Sequence, residues 1–360
     1  MTILLTGGGT LGPVTPLLAA VYSLKKIRSD LKFVWAGTSD GPERALVSAE
    51  GIDFYPVPRA KLTRYPSLSW LTLPRDYWRA TRVAKHILTE TMPDLVVSVG
   101  GYTQVPVMRC AARQGIPCAV HQLDKLPGLS NRLVAPLCRS VTTTFVYKVP
   151  PFGRAIQTTH VATPCRLVNL TIPDRAAAAD RFLMDPSRPI IFVLGGGTGA
   201  LKLNEAIATD LDSLLEKTQV IHAMGIGKRV GAQRAVPLPH TPSGYFAREF
   251  LDERDLLFAY AAADVVICRA GMGTLSELAA LSKVALVVPM PDTHQEANAV
   301  ALQEAIVSLR QTERLGQELQ RIVFSLLDDT ESRQRLGAAL HRELLTDGGR
   351  ELAEHWLGLV

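Results

Sequence analysis

The chain is poor in the features that would place it in several broad classes. Its five cysteines, Cys110, Cys118, Cys138, Cys165 and Cys268, form no CxxC pair, and their number is odd. A disulfide framework or a zinc site is therefore not expected, and a reducing compartment is the natural setting. No uninterrupted apolar stretch approaches the roughly 20 residues of a membrane-spanning helix, so any membrane attachment is expected to be peripheral. No Lys/Arg tract is dense enough to suggest nucleic-acid binding. There is no low-complexity segment, and no repeat apart from one pair of glycine-rich units. The chain opens directly on a strand pattern, from which no secretory leader is expected. What remains is an ordinary globular balance over 360 residues, 47% hydrophobic and 20% charged, with a net charge of +5. That length allows two domains, each with its own core, and the mild basicity is compatible with anionic lipid or phosphate.

The paired units are Ile3-Leu4-Leu5-Thr6-Gly7-Gly8-Gly9-Thr10-Leu11-Gly12-Pro13 and Ile190-Ile191-Phe192-Val193-Leu194-Gly195-Gly196-Gly197-Thr198-Gly199-Ala200. In each, an apolar run of strand length enters a glycine turn and a helical pattern follows. Glycine lets the backbone approach a ligand, and the helix start offers N–H groups to an anion. Strand patterns recur at 3–6, 32–36, 95–99, 118–121 and 141–145, then at 190–194, 219–223, 265–268 and 285–288. Helical patterns fill 17–28, 75–91, 203–216, 256–261, 274–281 and 295–304, and after Glu313 only helices follow. Such alternation predicts α/β architecture with parallel sheets covered on both faces. Two such domains facing a cleft are expected, with ligands beyond the carboxyl ends of the strands. The expected boundaries are 1–163, 164–340 and a terminal helix at 341–360 packing back on the first domain.

Gly7-x-Gly9 with Gly12 has the form G-x-G-x-x-G, the dinucleotide fingerprint. A nicotinamide site adds an acidic residue at the end of the second strand, but here that strand ends Trp35-Ala36-Gly37-Thr38. Further segments carry the decision: Gly100-Gly101-Tyr102-Thr103-Gln104-Val105-Pro106, the run HQLDKLPGLSN from His121 to Asn131, and Pro164-Cys165-Arg166. They continue with Glu249-Phe250-Leu251, the run CRAGMGTLSE from Cys268 to Glu277, and His294-Gln295-Glu296-Ala297-Asn298-Ala299. In this order and spacing the chain resembles the MurG family over roughly residues 1–310. Those enzymes transfer N-acetylglucosamine from UDP-N-acetylglucosamine to lipid I, the polyprenyl-pyrophosphate-linked muramyl-pentapeptide, to form lipid II in peptidoglycan synthesis. The resemblance implies a GT-B fold of two Rossmann-like domains, an inverting hexosyltransferase, and neither metal nor cofactor.

For the donor, the resemblance assigns the diphosphate to the loop Arg269-Ala270-Gly271-Met272-Gly273-Thr274, with Met272, Gly273, Thr274, Leu275 and Ser276 as substrate-binding candidates. A helix tip suits a leaving diphosphate because its amides and dipole favour negative charge. Glu277 matches the acid that binds the ribose hydroxyls, and a carboxylate can accept both hydrogen bonds. Arg166 matches an arginine reaching the diphosphate, a task for which a guanidinium fork is suited. Leu251 matches the backbone contact to uracil, and Gln295 and Asn298, on one helix face, match side chains near the donor sugar. Gly197 and Thr198 replace the usual serine and glutamine. His222 is read as structural.

On the acceptor side the matching residues are Gly8-Gly9-Thr10-Leu11-Gly12-Pro13, with Thr10, Leu11 and Gly12 as substrate-binding candidates. Pro13 stands where the family has histidine and Leu11 where it has glycine. The family pattern His-Glu-Gln-Asn is His121-Gln122-Leu123-Asp124 here. Asp124 is the candidate base; its ordinary pKa near 4 is low for that role, and burial would have to raise it. Its alternative is a turn cap or a partner for Lys125. These departures leave open a different lipid-linked acceptor, or a scaffold that keeps the donor site without turnover. Residues 59–85 combine Lys61, Arg64, Arg75, Arg79, Arg82 and Lys85 with Tyr65, Leu68, Trp70, Leu71, Leu73, Tyr77 and Trp78. That mixture suits an anionic headgroup boundary, so peripheral attachment to the cytoplasmic face of the cell membrane is expected.

Overall fold

The structure, a computed structural model, describes all residues except 11, 42, 61–68, 197–198 and 231–242. The chain divides into two compact units, Met1–Arg166 with Asp347–Val360, and Leu167–Thr346.

The first unit holds seven strands: β1 (Thr2–Thr6), β2 (Lys32–Thr38), β3 (Asp53–Val57), β4 (Leu95–Ser98), β5 (Cys118–Gln122), β6 (Ser140–Thr143) and β7 (Thr159–His160). They form one parallel sheet in the order β3-β2-β1-β4-β5-β6-β7. Its helices are α1 (Val14–Ile27), α2 (Glu43–Ala49), α3 (Ser69–Thr91), α4 (Gln104–Arg113) and α5 (Leu129–Val134). The central strands are nearly uninterrupted apolar runs because both of their faces are covered. On one face Leu4, Val34, Val96 and Val120 pack with Ala80, Ala84, Ile87, Val107, Met108, Ala111 and Val134 from α3, α4 and α5.

The second unit repeats the plan. Its strands β8 (Ile190–Leu194), β9 (Gln219–Ala223), β10 (Tyr245–Arg248), β11 (Val265–Cys268), β12 (Ala285–Val287) and β13 (Val307–Ser308) lie in the order β10-β9-β8-β11-β12-β13, all parallel. The helices are α6 (Arg175–Asp180), α7 (Leu201–Thr209), α8 (Leu211–Lys217), α9 (Glu253–Ala262), α10 (Met272–Ala280), α11 (His294–Ala301), α12 (Leu315–Asp328) and α13 (Thr330–Glu343). The last helix, α14 (Arg350–Leu357), returns to the first unit and packs on α1.

Several expected bounds shift. Helix α1 begins at Val14 with Pro16 in its first turn, a position where the missing proline N–H costs nothing. The pattern at 203–216 is two helices, because Asp210 leaves the helical conformation and its carbonyl then accepts the Leu214 N–H to start α8. Helix α10 starts at Met272 rather than Thr274, and α4 begins inside the segment read as a glycine motif. Strands β3, β7, β10 and β13 are additions at the sheet edges. Edge strands lack the strong apolar run of a central strand, and β3 even carries Pro56.

In each sheet the chain reverses direction of growth beside its first strand, between β1 and β4 and between β8 and β11. Both glycine units exit at these positions, where open α/β sheets place their ligands.

Candidate active site

The helices that follow the switch-point strands share one property. Helices α1, α4, α7 and α10 have no side-chain cap and no acid in the first turn. By contrast α6, α9 and α13 are capped by Asp174, Asp252 and Asp329. A side-chain cap satisfies one of the orphan amides of a helix start, and an uncapped start leaves them for water or a ligand.

In the second unit Gly271 is the N-cap of α10, and a Cβ there would meet nothing within 4 Å. Met272, Leu275, Ser276 and Glu277 are buried, whereas Gly273 and Thr274 are half-buried on the first turn. The Ser276 hydroxyl donates to the Gly273 carbonyl at 2.8 Å. Glu277 accepts a hydrogen bond from the Tyr260 hydroxyl at 2.8 Å, and the Tyr260 ring stands edge-on to Phe192 of β8. Helix α11 buttresses the loop before α10. Asn298 is fully buried and its amide donates to the Ala270 carbonyl at 3.0 Å, while Gln295 accepts from the Met290 amide at 3.0 Å. Leu251 is buried just beyond β10, and Gly197 and Thr198 lie outside the described residues.

Two residues here have roles that sequence reasoning does not assign, although it reads Arg269 as part of the diphosphate loop. Arg269 is buried in the motif CRAGMGTLSE and donates to the carbonyls of Val288 and Pro289 and to the Gln311 side chain. Among the described residues its Nε has no partner, and burial pulls its pKa down. It ties the exits of β11 and β12 together behind the α10 tip. Asn204, buried on α7, donates to the carbonyls of Met224 and Lys228. Its Oδ1 faces His222 Nε2 at 3.1 Å. Arg269 lies in the loop between β11 and α10 and Asn204 within α7, and no local spacing marks either as buried.

In the first unit Thr10 and Gly12 are exposed beyond β1, and Leu11 lies outside the described residues. Gly101 crosses that turn so closely that a Cβ on it would lie 2.8 Å from the Gly8 carbonyl oxygen. Beyond β5, Asp124 is half-buried and its carbonyl accepts from Gln122 and from the Tyr147 hydroxyl. Burial, and secondarily the Asp124 charge, raise the Tyr147 pKa. A buried amide chain holds this loop: Gln104 donates to Asn131 at 2.5 Å, and Asn131 donates to Gln122 at 2.7 Å. His121 sits between the Thr142 and Thr144 hydroxyls, and burial pushes its pKa down to about 3. Arg166, half-buried, opens a short 3-10 turn at Arg166–Asn169.

Two domain models match this arrangement: the glycosyltransferase family 28 N-terminal domain over residues 3–143 and the family 28 C-terminal domain over residues 190–347. A protein of Nocardioides sp., named UDP-N-acetylglucosamine--N-acetylmuramyl-(pentapeptide) pyrophosphoryl-undecaprenol N-acetylglucosamine transferase, is 36% identical over 305 residues, covering 83% of this chain and 81% of its own. One of the same name from Bifidobacterium adolescentis is 30% identical over 385 residues, covering 99% and 97%. The chain belongs to the MurG family. It is a hexosyltransferase of GT-B architecture, as the resemblance implied. The crystal structure of Acinetobacter baumannii MurG superposes with a TM-score of 0.72 at 23% identity, covering 99% of both chains. A Neisseria meningitidis UDP-GlcNAc 2-epimerase bound to UDP-GlcNAc reaches the same TM-score at 14% identity, covering 99% of this chain and 100% of its own. At those identities the structures speak for the fold alone; it is the MurG-family relatives that separate transfer from epimerisation.

Proposed function

We infer that the chain transfers N-acetylglucosamine from UDP-N-acetylglucosamine to N-acetylmuramyl-(pentapeptide) pyrophosphoryl-undecaprenol. The observation that carries this is the near full-length likeness to relatives bearing that name. The second unit is the donor half. The uncapped tip of α10 offers amides to the diphosphate, where a helix start contributes about 0.3–1 kcal/mol and up to about 2 when partly buried. The Arg269 guanidinium adds positive charge behind the same loop. Glu277 takes the ribose hydroxyls on its carboxylate, which can accept more than one hydrogen bond. Arg166 reaches the diphosphate and the Leu251 backbone the uracil. Gln295 and Asn298 remain sugar-side contacts, and the Asn298 amide also holds the Ala270 carbonyl.

The first unit is the acceptor half, with Thr10, Leu11 and Gly12 on the acceptor and Asp124 as base. Pro13 can neither take nor give a proton, and this favours an alternative in which another lipid-linked acceptor is used. The membrane reading is supported by exposed Trp70, Leu71 and Trp78 on α3 among Arg75, Arg79, Arg82 and Lys85. Lys61, Arg64, Tyr65 and Leu68 lie outside the described residues. A second stretch, residues 125–166, has no Asp or Glu and six Lys or Arg. It exposes Leu126, Leu129, Leu133, Leu137, Val146 and Val149. Among the described residues no helix is long and apolar enough to cross a membrane, so the proposed attachment is peripheral, on the cytoplasmic face.

The test is incubation with UDP-N-acetylglucosamine and a panel of lipid-pyrophosphate acceptors, with products read by mass. The expected outcome is one added N-acetylhexosamine on the muramyl-pentapeptide lipid and stoichiometric UDP. UDP binding without turnover on any acceptor would favour the scaffold reading instead.

A further inference from the structure

Both glycine turns were expected to offer their amides to an anion. In the first unit that position already has an occupant. Glu43, the first residue of α2, is fully buried, and its carboxylate accepts three hydrogen bonds. Oε1 takes the Thr38 amide at 2.7 Å and the Thr38 hydroxyl at 2.5 Å, and Oε2 takes the Gly9 amide at 3.2 Å. The Gly7 amide is also used, by the Ala36 carbonyl. The two Thr38 donors and the Gly9 amide thus converge on this one buried carboxyl group.

The surroundings fit that group closely. A Cβ on Gly8 would lie 2.0 Å from Glu43 Oε1, and one on Gly41 2.0 Å from Oε2. From the other side the Tyr102 ring abuts Gly9, where a Cβ would come within 2.8 Å of it, and Gly9 has φ +86°. The turn after β1 is thus clamped between a buried carboxyl group from α2 and an aromatic ring from the loop after β4. Downstream, Pro13 and Pro16 remove two amides from the start of α1. A ligand group at the Gly9 amide would have to displace Glu43 Oε2 from it.

We infer that Glu43 is a positioning residue for the transfer reaction: its carboxylate replaces a ligand anion in the first glycine turn and fixes the turn that carries Thr10 and Gly12 against the acceptor. This rests on the assignment of the first unit to the acceptor.

The test is Glu43→Gln, which keeps size and removes one acceptor while adding an amide that faces N–H donors. KM for UDP-N-acetylglucosamine and for a lipid-linked muramyl-pentapeptide acceptor are measured separately, with UDP affinity as a folding control. The expected result is a rise in acceptor KM of about tenfold or more, with donor KM and UDP affinity within about twofold of the parent. Acceptor KM and kcat both unchanged would overturn the role of Glu43 and leave the acceptor assignment standing. A rise in donor KM alone would overturn that assignment, and the inference with it. Should Glu43→Gln not fold, Thr38→Val frees one bond to the same carboxylate. A smaller rise in acceptor KM alone supports the inference, and no change overturns it.

Discussion

His222 lies at the end of β9, and its two partners define its chemistry. Asn204 Oδ1 only accepts, so His222 Nε2 carries the proton, and Nδ1 accepts from the Tyr245 hydroxyl at 3.0 Å. Burial pushes the pKa from 6.5 to about 3. The sign of the pH dependence follows. Between those values the unfolded chain binds a proton that the folded one refuses, so stability is lost as pH falls from about 6.5 toward 3. The slope approaches about 1.4 kcal/mol per pH unit per buried histidine. Thermal melts at pH 7 and pH 5 should show a smaller acid-induced drop for His222→Gln than for the parent chain; equal drops would contradict this. Glu277 makes the second residue-scale prediction. Glu277→Ala should weaken UDP binding by about 1.5–3 kcal/mol, the range for hydrogen bonds to a charged group, read by calorimetry. Asn298→Ala should also weaken UDP binding, because the loop before α10 loses the hydrogen bond to the Ala270 carbonyl. The identities of these residues were legible in the motif CRAGMGTLSE and in the His294–Ala299 run. Their partners were not, since a hydrogen bond from Asn298 to a carbonyl 28 positions away leaves no trace in local spacing.

Among the elements, the central strands were readable because continuous apolar runs such as those of β1 and β8 have no polar alternation to confuse them. The edges were not: β7 and β13 are two residues each, and pairing rather than composition makes them strands. Helix α4 escaped notice for a different reason, its first turn being the Gln104-Val105-Pro106 end of a Gly-Gly-Tyr-Thr-Gln-Val-Pro signature that reads as a loop. Helix α14 shows how much a short terminal element can contribute. Leu352, Ala353 and Trp356 are buried, Gly349 lies so close to α1 that a Cβ would come within 2.8 Å of the Ala20 amide nitrogen, and Ser23 donates to the Gly348 carbonyl. Glu351 accepts the Ala162 amide, and His355 meets Ser140 at 2.5 Å. Trp356→Ala should therefore destabilise the first unit by about 3–5 kcal/mol, lowering its thermal transition by about 10 °C. UDP affinity, assigned above to the second unit except for Arg166, should change far less. A loss of UDP binding in this variant would mean that the two units do not report separately.

At the scale of the whole molecule, the same strand order appears in both sheets but the charge is not evenly spread. The net charge of +5 sits in a chain whose residues 125–166 contain no acid at all. In the first unit α3 packs on α4 and α4 on α5, so the cationic and apolar residues of α3 and the Leu129, Leu133 and Leu137 stripe belong to one helical layer. Arg82 lies over the Trp78 ring at 5.6 Å, a pairing of cation and aromatic suited to a headgroup boundary. If that layer meets an anionic bilayer, attachment has two separable parts. The basic residues contribute on the order of 1 kcal/mol each and are screened by salt, whereas the inserted Leu71 and Trp78 are not. Flotation with phosphatidylglycerol vesicles should then fall steeply as salt rises to about 0.5 M, where the screening length drops below about 5 Å. Replacing Leu71 and Trp78 by Asn should weaken binding at every salt concentration by a similar factor, leaving the salt slope in place. Equal flotation with neutral phosphatidylcholine vesicles, or a double variant that binds as the parent does, would remove the membrane from the account of this layer.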